Sequence, residues 1–230
     1  MSPPSDVKVV LLGTEYCGKS SLVERYLHDR FRGENCYQNT VGAAYGSKLF
    51  EINVNGSPRA LIMGIWDTAG SERYQSMSRL YYRSARAAIL CFDITCRESW
   101  AKVQFWKKEV QRHERLCRIY LCATKMDKLL AEDQADGTEG HAPAIEGAVV
   151  SRFAQESEAA LFHTTRIGSS PTTNFVFHLN PPHFTFGMPL AARARARSLS
   201  TESGLCCEVV DTLHRALPVT KAGAHSDEEP

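Results

Sequence analysis

The eight residues GTEYCGKS, Gly13 to Ser20, constrain this chain more than any other stretch. They follow the apolar run VKVVLL (7–12) and lead into a helical stretch from Gly18 to His28. A strand, a loop with a glycine at its start and a Gly-Lys-Ser at its end, and then a helix make an element that cradles phosphates. Successive backbone N–H groups aim at phosphate oxygens. Gly13 leaves the strand at little steric cost, and Gly18 lets the backbone come close. Lys19 brings a point charge to the β and γ phosphates, Ser20 brings a hydroxyl to Mg²⁺, and the helix offers its positive end.

The remainder of the chain supplies a fold that can hold such a loop. VKVVLL reads as a short buried strand. KLFEINV (48–54) and RALIMGIW (59–66) read as a hairpin around the turn dipeptide Asn55-Gly56. AAILCFDI (87–94) and RIYLCAT (118–124) are near-continuous apolar runs. Such runs suit parallel strands covered on both faces. SWAKVQFWKKEVQRHE (99–114) between them has helical spacing, 145–159 reads as a helix, and ALFH (160–163) as a short strand. Strands alternating with helices point to an α/β sheet with crossover connections. The polar, Gly-containing stretch 127–144 reads as a loop.

Beyond it the character changes. The segment 166–199 holds Pro171, Pro181, Pro182 and Pro189, alternating Phe175/Phe177 and Phe184/Phe186, and the run RARAR (193–197). The prolines preclude a regular helix there, and the alternating phenylalanines read as an added edge strand or as an aggregation hazard. RARAR reads as a solvated, disordered stretch, or as a contact for acidic lipid or a partner. Residues 204–217 are helical in pattern, and 218–230 form an acidic tail expected to be disordered.

Composition narrows the classes. Lys and Arg total 27 against 26 Asp and Glu in 230 residues, so no global field draws nucleic acid to this chain. Most of the eight cysteines sit in apolar runs and read as small buried hydrophobes in a reducing compartment, with no zinc-type spacing. No apolar run reaches membrane-spanning length and no signal peptide is recognisable.

Two further motifs complete a nucleotide site. In WDTAG (66–70), Asp67 at a strand end suits Mg²⁺ coordination through water, and Gly70 can present its N–H to a γ-phosphate. In Thr124-Lys125-Met126-Asp127, the carboxylate can accept from the guanine N1–H and exocyclic amine, a pair that adenine does not offer. The Lys125 stem then lies over the base or the loop. Each motif has a bland alternative as a strand-end turn; their order and spacing together do not.

With GTEYCGKSSLVERY (13–26), YQNTVGAAY (37–45), MGIWDTAGSERY (63–74), YYRSARAAILCFDIT (81–95) and LCATKMD (121–127), the chain resembles a Ras-superfamily small GTPase of the Rab type. YQNTVGAAY and GIWDTAGSERY are most similar to a divergent Rab for which autophagy-linked traffic is the expectation. The resemblance covers 6–165 and resumes over 201–217. It implies a P-loop NTPase three-layer α/β sandwich, with six strands, five parallel and one antiparallel, flanked by helices. It implies one domain over 6–217, interrupted by an insertion at 166–199. It also implies a vesicle-traffic switch that binds GTP or GDP with Mg²⁺. Carried over by position, the phosphate contacts are Gly13, Glu15, Tyr16, Cys17, Gly18, Lys19, Ser20, Ser21, Thr40 and Gly70. The metal set is Ser20, Thr40 and Asp67. The guanine set is Phe31, packed edge-on, with Thr124, Lys125, Asp127 and Thr165. Val41 to Tyr45, Trp66 and Tyr81 resemble the surface that effectors read. Exchange factors and escort or GDI-type proteins are the further partners implied, for a monomer that is cytoplasmic and at most peripheral to membranes.

Several positions depart from that pattern. Ser71 stands where most relatives have the glutamine that orients the attacking water. Phosphoryl transfer of this kind depends on positioning and electrostatics. The shorter side chain should slow hydrolysis roughly ten- to a hundredfold, about 1.4 to 2.7 kcal/mol of barrier. Glu15 replaces a small residue beside the γ-phosphate and should disturb an arginine finger. Catalysis is thus expected to rest on Gly70 and Ser71, at a low rate. Thr124 replaces an asparagine that ties the base loop to the phosphate loop, and can make one such bond where asparagine makes two. Phe162-His163-Thr164-Thr165 begins the fifth nucleotide motif, which then resumes at Ser200–Gly204, with Glu202 where a lysine is usual. The chain ends SDEEP without prenylation cysteines, so no stable membrane anchor is expected. Cys206 and Cys207 fall inside a helical pattern and read as packing.

Three activities remain compatible with these residues: a slow GTP-hydrolysing switch, a non-catalytic interaction protein that competes for Rab partners, and an adenine-nucleotide P-loop enzyme. Asp127 and the lack of a substrate lid disfavour the last.

Overall fold

The computed structural model of the chain describes residues 5–31, 38–54, 57–70, 78–128, 145–167 and 174–179. The elements run β1 (Val7–Leu12), α1 (Lys19–His28), β2 (Ala43–Val54), β3 (Ser57–Thr68), α2 (Ser78–Tyr82), β4 (Ala87–Asp93), α3 (Arg97–His113), β5 (Arg118–Thr124), α4 (Gly147–Glu156), β6 (Ala160–Ile167) and β7 (Asn174–Leu179).

These elements build one sheet in the order β2-β3-β1-β4-β5-β6-β7. β3, β1, β4, β5 and β6 are mutually parallel, and β2 is antiparallel to β3. That is the expected arrangement of five parallel strands and one antiparallel strand. Both strands of the expected hairpin are longer than their sequence pattern suggests, reaching 43–54 and 57–68, because the antiparallel ladder continues from Ser47↔Gly64 to Ala43↔Thr68 and keeps their backbone groups paired. Asn55 and Gly56 lie outside the described residues.

The central strands are buried on both sides because their side chains alternate between two cores. Val10 and Leu12 of β1 join Leu90, Phe92 and Leu121 under Trp100, Val103, Trp106 and Val110 of α3 and Val150 of α4. Val9 and Leu11 face the other way, with Met63, Ile65, Cys91, Tyr120 and Phe162, beneath Leu22, Val23 and Tyr26 of α1. Period-2 alternation inside a continuous apolar run is what a two-sided parallel strand requires. The cysteines Cys17, Cys91, Cys117 and Cys122 are buried free thiols within or beside these cores.

The structure adds a seventh strand to the six. β6 does not stop at His163 but runs to Ile167, and β7 pairs antiparallel with it from Phe162↔Leu179 to Ile167↔Asn174. The alternating Phe175 and Phe177 thus do form an edge strand, inside the segment read as inserted. Phe184, Phe186, RARAR, the 204–217 helical pattern and the 218–230 tail lie outside the described residues, as does 129–144 of the expected loop. Met126 to Lys128 begin that stretch as one helical turn. Among the described residues no helix is long and apolar enough to cross a membrane.

Candidate functional site

The site gathers at the C-terminal ends of β1, β3, β4 and β5. β1 ends at Leu12, and the chain turns at Gly13, whose φ is +155°. A Cβ at Gly13 would collide with the carbonyl oxygen of Cys91 on β4 and stand 2.9 Å from the Cys17 Sγ. Only glycine lets the loop leave the sheet here. The loop passes through Glu15 and Tyr16, the latter in the left-handed region and largely exposed. It enters α1 at Gly18, which caps the helix without a side-chain hydrogen bond. The first turn contains Lys19, Ser20 and Ser21 but no acidic residue. Its amide hydrogens therefore stay available to an anion, in the favourable direction of the helix dipole.

Lys19 is 5% exposed, and its ammonium donates to the carbonyls of Gly13 (3.1 Å) and Thr14 (2.7 Å). It stands inside the loop it belongs to. The Cys17 thiol lies 3.9 Å from this ammonium, and burial pushes it up to about 11, so it is not a thiolate nucleophile.

Three oxygen-bearing side chains from distant parts of the sequence meet in front of α1. The hydroxyls of Ser20 and Thr40 lie 3.1 Å apart, and Thr40 Oγ1 donates to Asp67 Oδ2 at 3.5 Å. The other oxygen of Asp67, Oδ1, is buried and has no hydrogen-bond partner among the described residues. Burial raises the Asp67 carboxyl above its ordinary value, against the opposing pull of Ser20, Lys19 and Thr40. Two hydroxyls and a carboxylate with an unsatisfied oxygen are the donors that a small hard cation such as Mg²⁺ takes. The strand that delivers Asp67 is held in place on both sides: Thr68 Oγ1 donates to the Leu11 carbonyl at 2.6 Å, and Ala69 N–H to the Gly42 carbonyl at 2.8 Å.

Gly70 packs directly on the phosphate loop. A Cβ there would collide with the backbone nitrogen and Cα of Glu15. Ser71 lies outside the described residues.

The base-side residues arrive on β5. Thr124 ends that strand, buried, and its hydroxyl lies within donating distance of the Cys17 carbonyl at 2.8 Å and the Phe92 carbonyl at 3.0 Å. Its single proton links the base loop to the phosphate loop 107 residues away in sequence. Lys125 follows in the left-handed region at φ 60°, and its ammonium pairs with Asp93 Oδ2 at 2.7 Å. The Lys128 N–H closes a turn onto the Lys125 carbonyl, and that turn carries Asp127. Phe31 lies beyond the end of α1. Thr165 sits within β6 opposite Val176 of β7, so strand continues where a loop would begin.

Asp93 is the residue that the sequence reading passes over. Burial alone would raise its carboxyl, but hydrogen bonds from Lys125 and Thr95 outweigh that and hold it below the ordinary carboxylate range. The sequence signal is an aspartate ending an apolar strand with a threonine two residues on.

The surface beside the site carries a ring cluster. Tyr45 meets Trp66 edge-on with centroids 5.2 Å apart, and Trp66 lies 6.0 Å from Tyr81. Val41 nearby is 77% exposed.

The sequence matches the Ras family over residues 8–166. It is 38% identical over 160 residues to the Ras-related protein Rab-24 of Dictyostelium discoideum, covering 70% of this chain and 72% of that one. It is also 38% identical over 160 residues to the GTP-binding protein ypt5 of Schizosaccharomyces pombe, covering 69% and 68%. Against the Ras-related protein RHN1 of Nicotiana plumbaginifolia it is 32% identical over 210 residues, covering 88% of this chain and 95% of that one. The phosphate loop, the Ser20–Thr40–Asp67 set and the β5 base-loop residues all fall within the matched span, and the chain belongs to the Ras family as a Rab-type small GTPase.

Proposed function

We propose that this protein is a guanine-nucleotide switch of intracellular membrane traffic that hydrolyses GTP slowly. The observation that carries the reading is the meeting of Ser20, Thr40 and Asp67 in front of the open N-terminal end of α1. The amides of Gly13 to Ser21 and the Lys19 ammonium bind the phosphate tail. Ser20, Thr40 and Asp67 would hold Mg²⁺ between them, and the bound cation would neutralise phosphate charge. Thr124 keeps the base loop in register with the phosphate loop. Lys125 covers the purine, and Asp127 accepts from its N1–H and amine, with Phe31 against its edge.

Hydrolysis is slow on this reading because Ser71 is too short to orient the water. Gly70 lies against the Glu15 backbone, and a carboxylate at this position of the phosphate loop would disturb an incoming arginine finger. Residues 37–45 and 63–82, with Tyr45, Trp66 and Tyr81 at their centre, bind effectors, and exchange and escort proteins act on the same face. The YQNTVGAAY and GIWDTAGSERY stretches support an autophagy-linked role.

One observation favours a second reading, a Rab-like interaction protein with weak nucleotide binding. β6 continues through Thr165 into a hairpin with β7, in place of a loop whose N–H could reach the guanine O6.

Nucleotide extracted from purified protein, followed by loading with fluorescent GDP in Mg²⁺, separates the two. Bound guanine nucleotide near one per chain supports the switch. A folded chain that stays empty, and that loads only after deletion of 168–199, supports the second reading. For a chain that loads, single-turnover GTP hydrolysis should rise roughly ten- to a hundredfold in Ser71→Gln. An unchanged rate would remove Ser71 as the cause of slow turnover.

A further inference from the structure

We propose that Asp93, at the end of β4, is a positioning residue that holds Lys125 over the purine and thereby sets how long the nucleotide stays bound. This rests on the guanine-switch reading above.

The geometry is a chain of fixed contacts. Asp93 pairs across the sheet with Thr124, so its side chain emerges beside the residue before Lys125. One carboxylate oxygen, Oδ1, accepts the Thr95 N–H at 2.9 Å and the Thr95 hydroxyl at 2.7 Å. The other, Oδ2, accepts the Lys125 ammonium at 2.7 Å. The Asp93 side chain is 10% exposed, so the pair is partly shielded on the acid's side. Its backbone is fixed as well: the Asp93 N–H donates to Ser99 Oγ at 3.1 Å, and the Ser99 hydroxyl lies 3.0 Å from the Asp93 carbonyl. Every group that could let the carboxylate swing is therefore tied to the β4 end or to the start of α3.

Lys125 needs such a hold. Its backbone is in the left-handed region, at φ 60°, which is strained for a non-glycine residue. A lysine stem loses considerable rotamer freedom when held in one place. Fixing the ammonium on Asp93 orders the stem before the purine arrives, so less ordering remains to be done on binding. The turn closed by Lys128 N–H on the Lys125 carbonyl passes that order on to Asp127.

The test is the dissociation rate of fluorescent GDP from full-length protein in Mg²⁺, for four chains: wild type, Asp93→Asn, Lys125→Ala and the double variant. Asp93→Asn should dissociate roughly three- to tenfold faster than wild type, the scale of a partly exposed ion pair. In the Lys125→Ala background the same change should add nothing further, because Asp93 acts through Lys125. A merely structural role at the end of β4 would multiply the rate by the same factor in both backgrounds, and that result overturns the proposal. So does a wild-type rate in Asp93→Asn. Should Asp93→Asn fail to fold, Thr95→Val removes one donor to Oδ1. It should raise the rate roughly twofold in the wild-type background alone, and a rate equal to wild type there overturns the proposal. A wild-type chain that loads no guanine nucleotide refutes the switch reading and this inference with it. A chain that loads normally but is indifferent to Asp93 refutes only this inference.

Discussion

Thr124→Val tests the link between the two halves of the site at a single atom. Valine keeps the shape of threonine and replaces the hydroxyl with a methyl, so strand β5 survives. What disappears is the proton shared between the Cys17 carbonyl at 2.8 Å and the Phe92 carbonyl at 3.0 Å. Thr124 is 4% exposed, so water cannot replace the donor. One buried hydrogen bond is worth about 1 kcal/mol, and a carbonyl left without its donor adds about as much again. The sum is about 1 to 2 kcal/mol. In a domain of this size that lowers the thermal midpoint by roughly 2 to 8 °C. If the whole loss is felt in the loaded state, GDP dissociates about five- to thirtyfold faster, at 1.4 kcal/mol per tenfold. Thermal unfolding with and without GDP, and displacement of fluorescent GDP, measure the two effects. Thr124→Ser keeps the hydroxyl and should retain most of the nucleotide dwell time. If Thr124→Val matches wild type in both midpoint and dissociation, the hydroxyl does not tether the loops and the reasoning fails.

Two other substitutions probe the phosphate side. Asp67→Asn should leave the midpoint without Mg²⁺ equal to wild type or higher, because burial disfavours the ionised carboxylate and the amide carries no charge. The same variant should lose the rise in midpoint that Mg²⁺ and GDP give together. A retained Mg²⁺-dependent rise would show that Asp67 is not part of the cation site. Gly13→Ala places a methyl against the Cys91 carbonyl and 2.9 Å from the Cys17 Sγ. Neither the β4 backbone nor the buried thiol can withdraw, so the midpoint should fall by roughly 6 to 12 °C, for a cost of about 3 kcal/mol. A fall of less than about 2 °C would mean that the loop can relax away from β4.

Much of this protein is written in short stretches of its sequence. VKVVLL, AAILCFD and RIYLCAT are strands because a continuous apolar run of this length can be buried only on two sides. GTEYCGKS is legible as a strand-to-helix loop because its two glycines permit turns that other residues resist and its Gly-Lys-Ser opens a helical stretch. The places of Asp67 and Thr124 at strand ends are legible for a related reason: polar residues closing apolar runs face whatever lies beyond the ends of the strands.

What the sequence could not specify is which of these residues meet. Thr40 lies 20 residues from Ser20 and 27 from Asp67, and only the order of strands in the sheet brings the three oxygens together. Lys125 reads as a residue over the base, but its anchor on Asp93 depends on β4 and β5 lying side by side in one register. The extension of β6 to Ile167 depends on a partner, since polar Thr164, Thr165 and Arg166 give no strand signal until β7 pairs with them. Local patterns encode how a segment is buried, because burial is decided residue by residue. Contacts between strand ends are decided by hydrogen-bond register across the whole sheet, which no single segment contains.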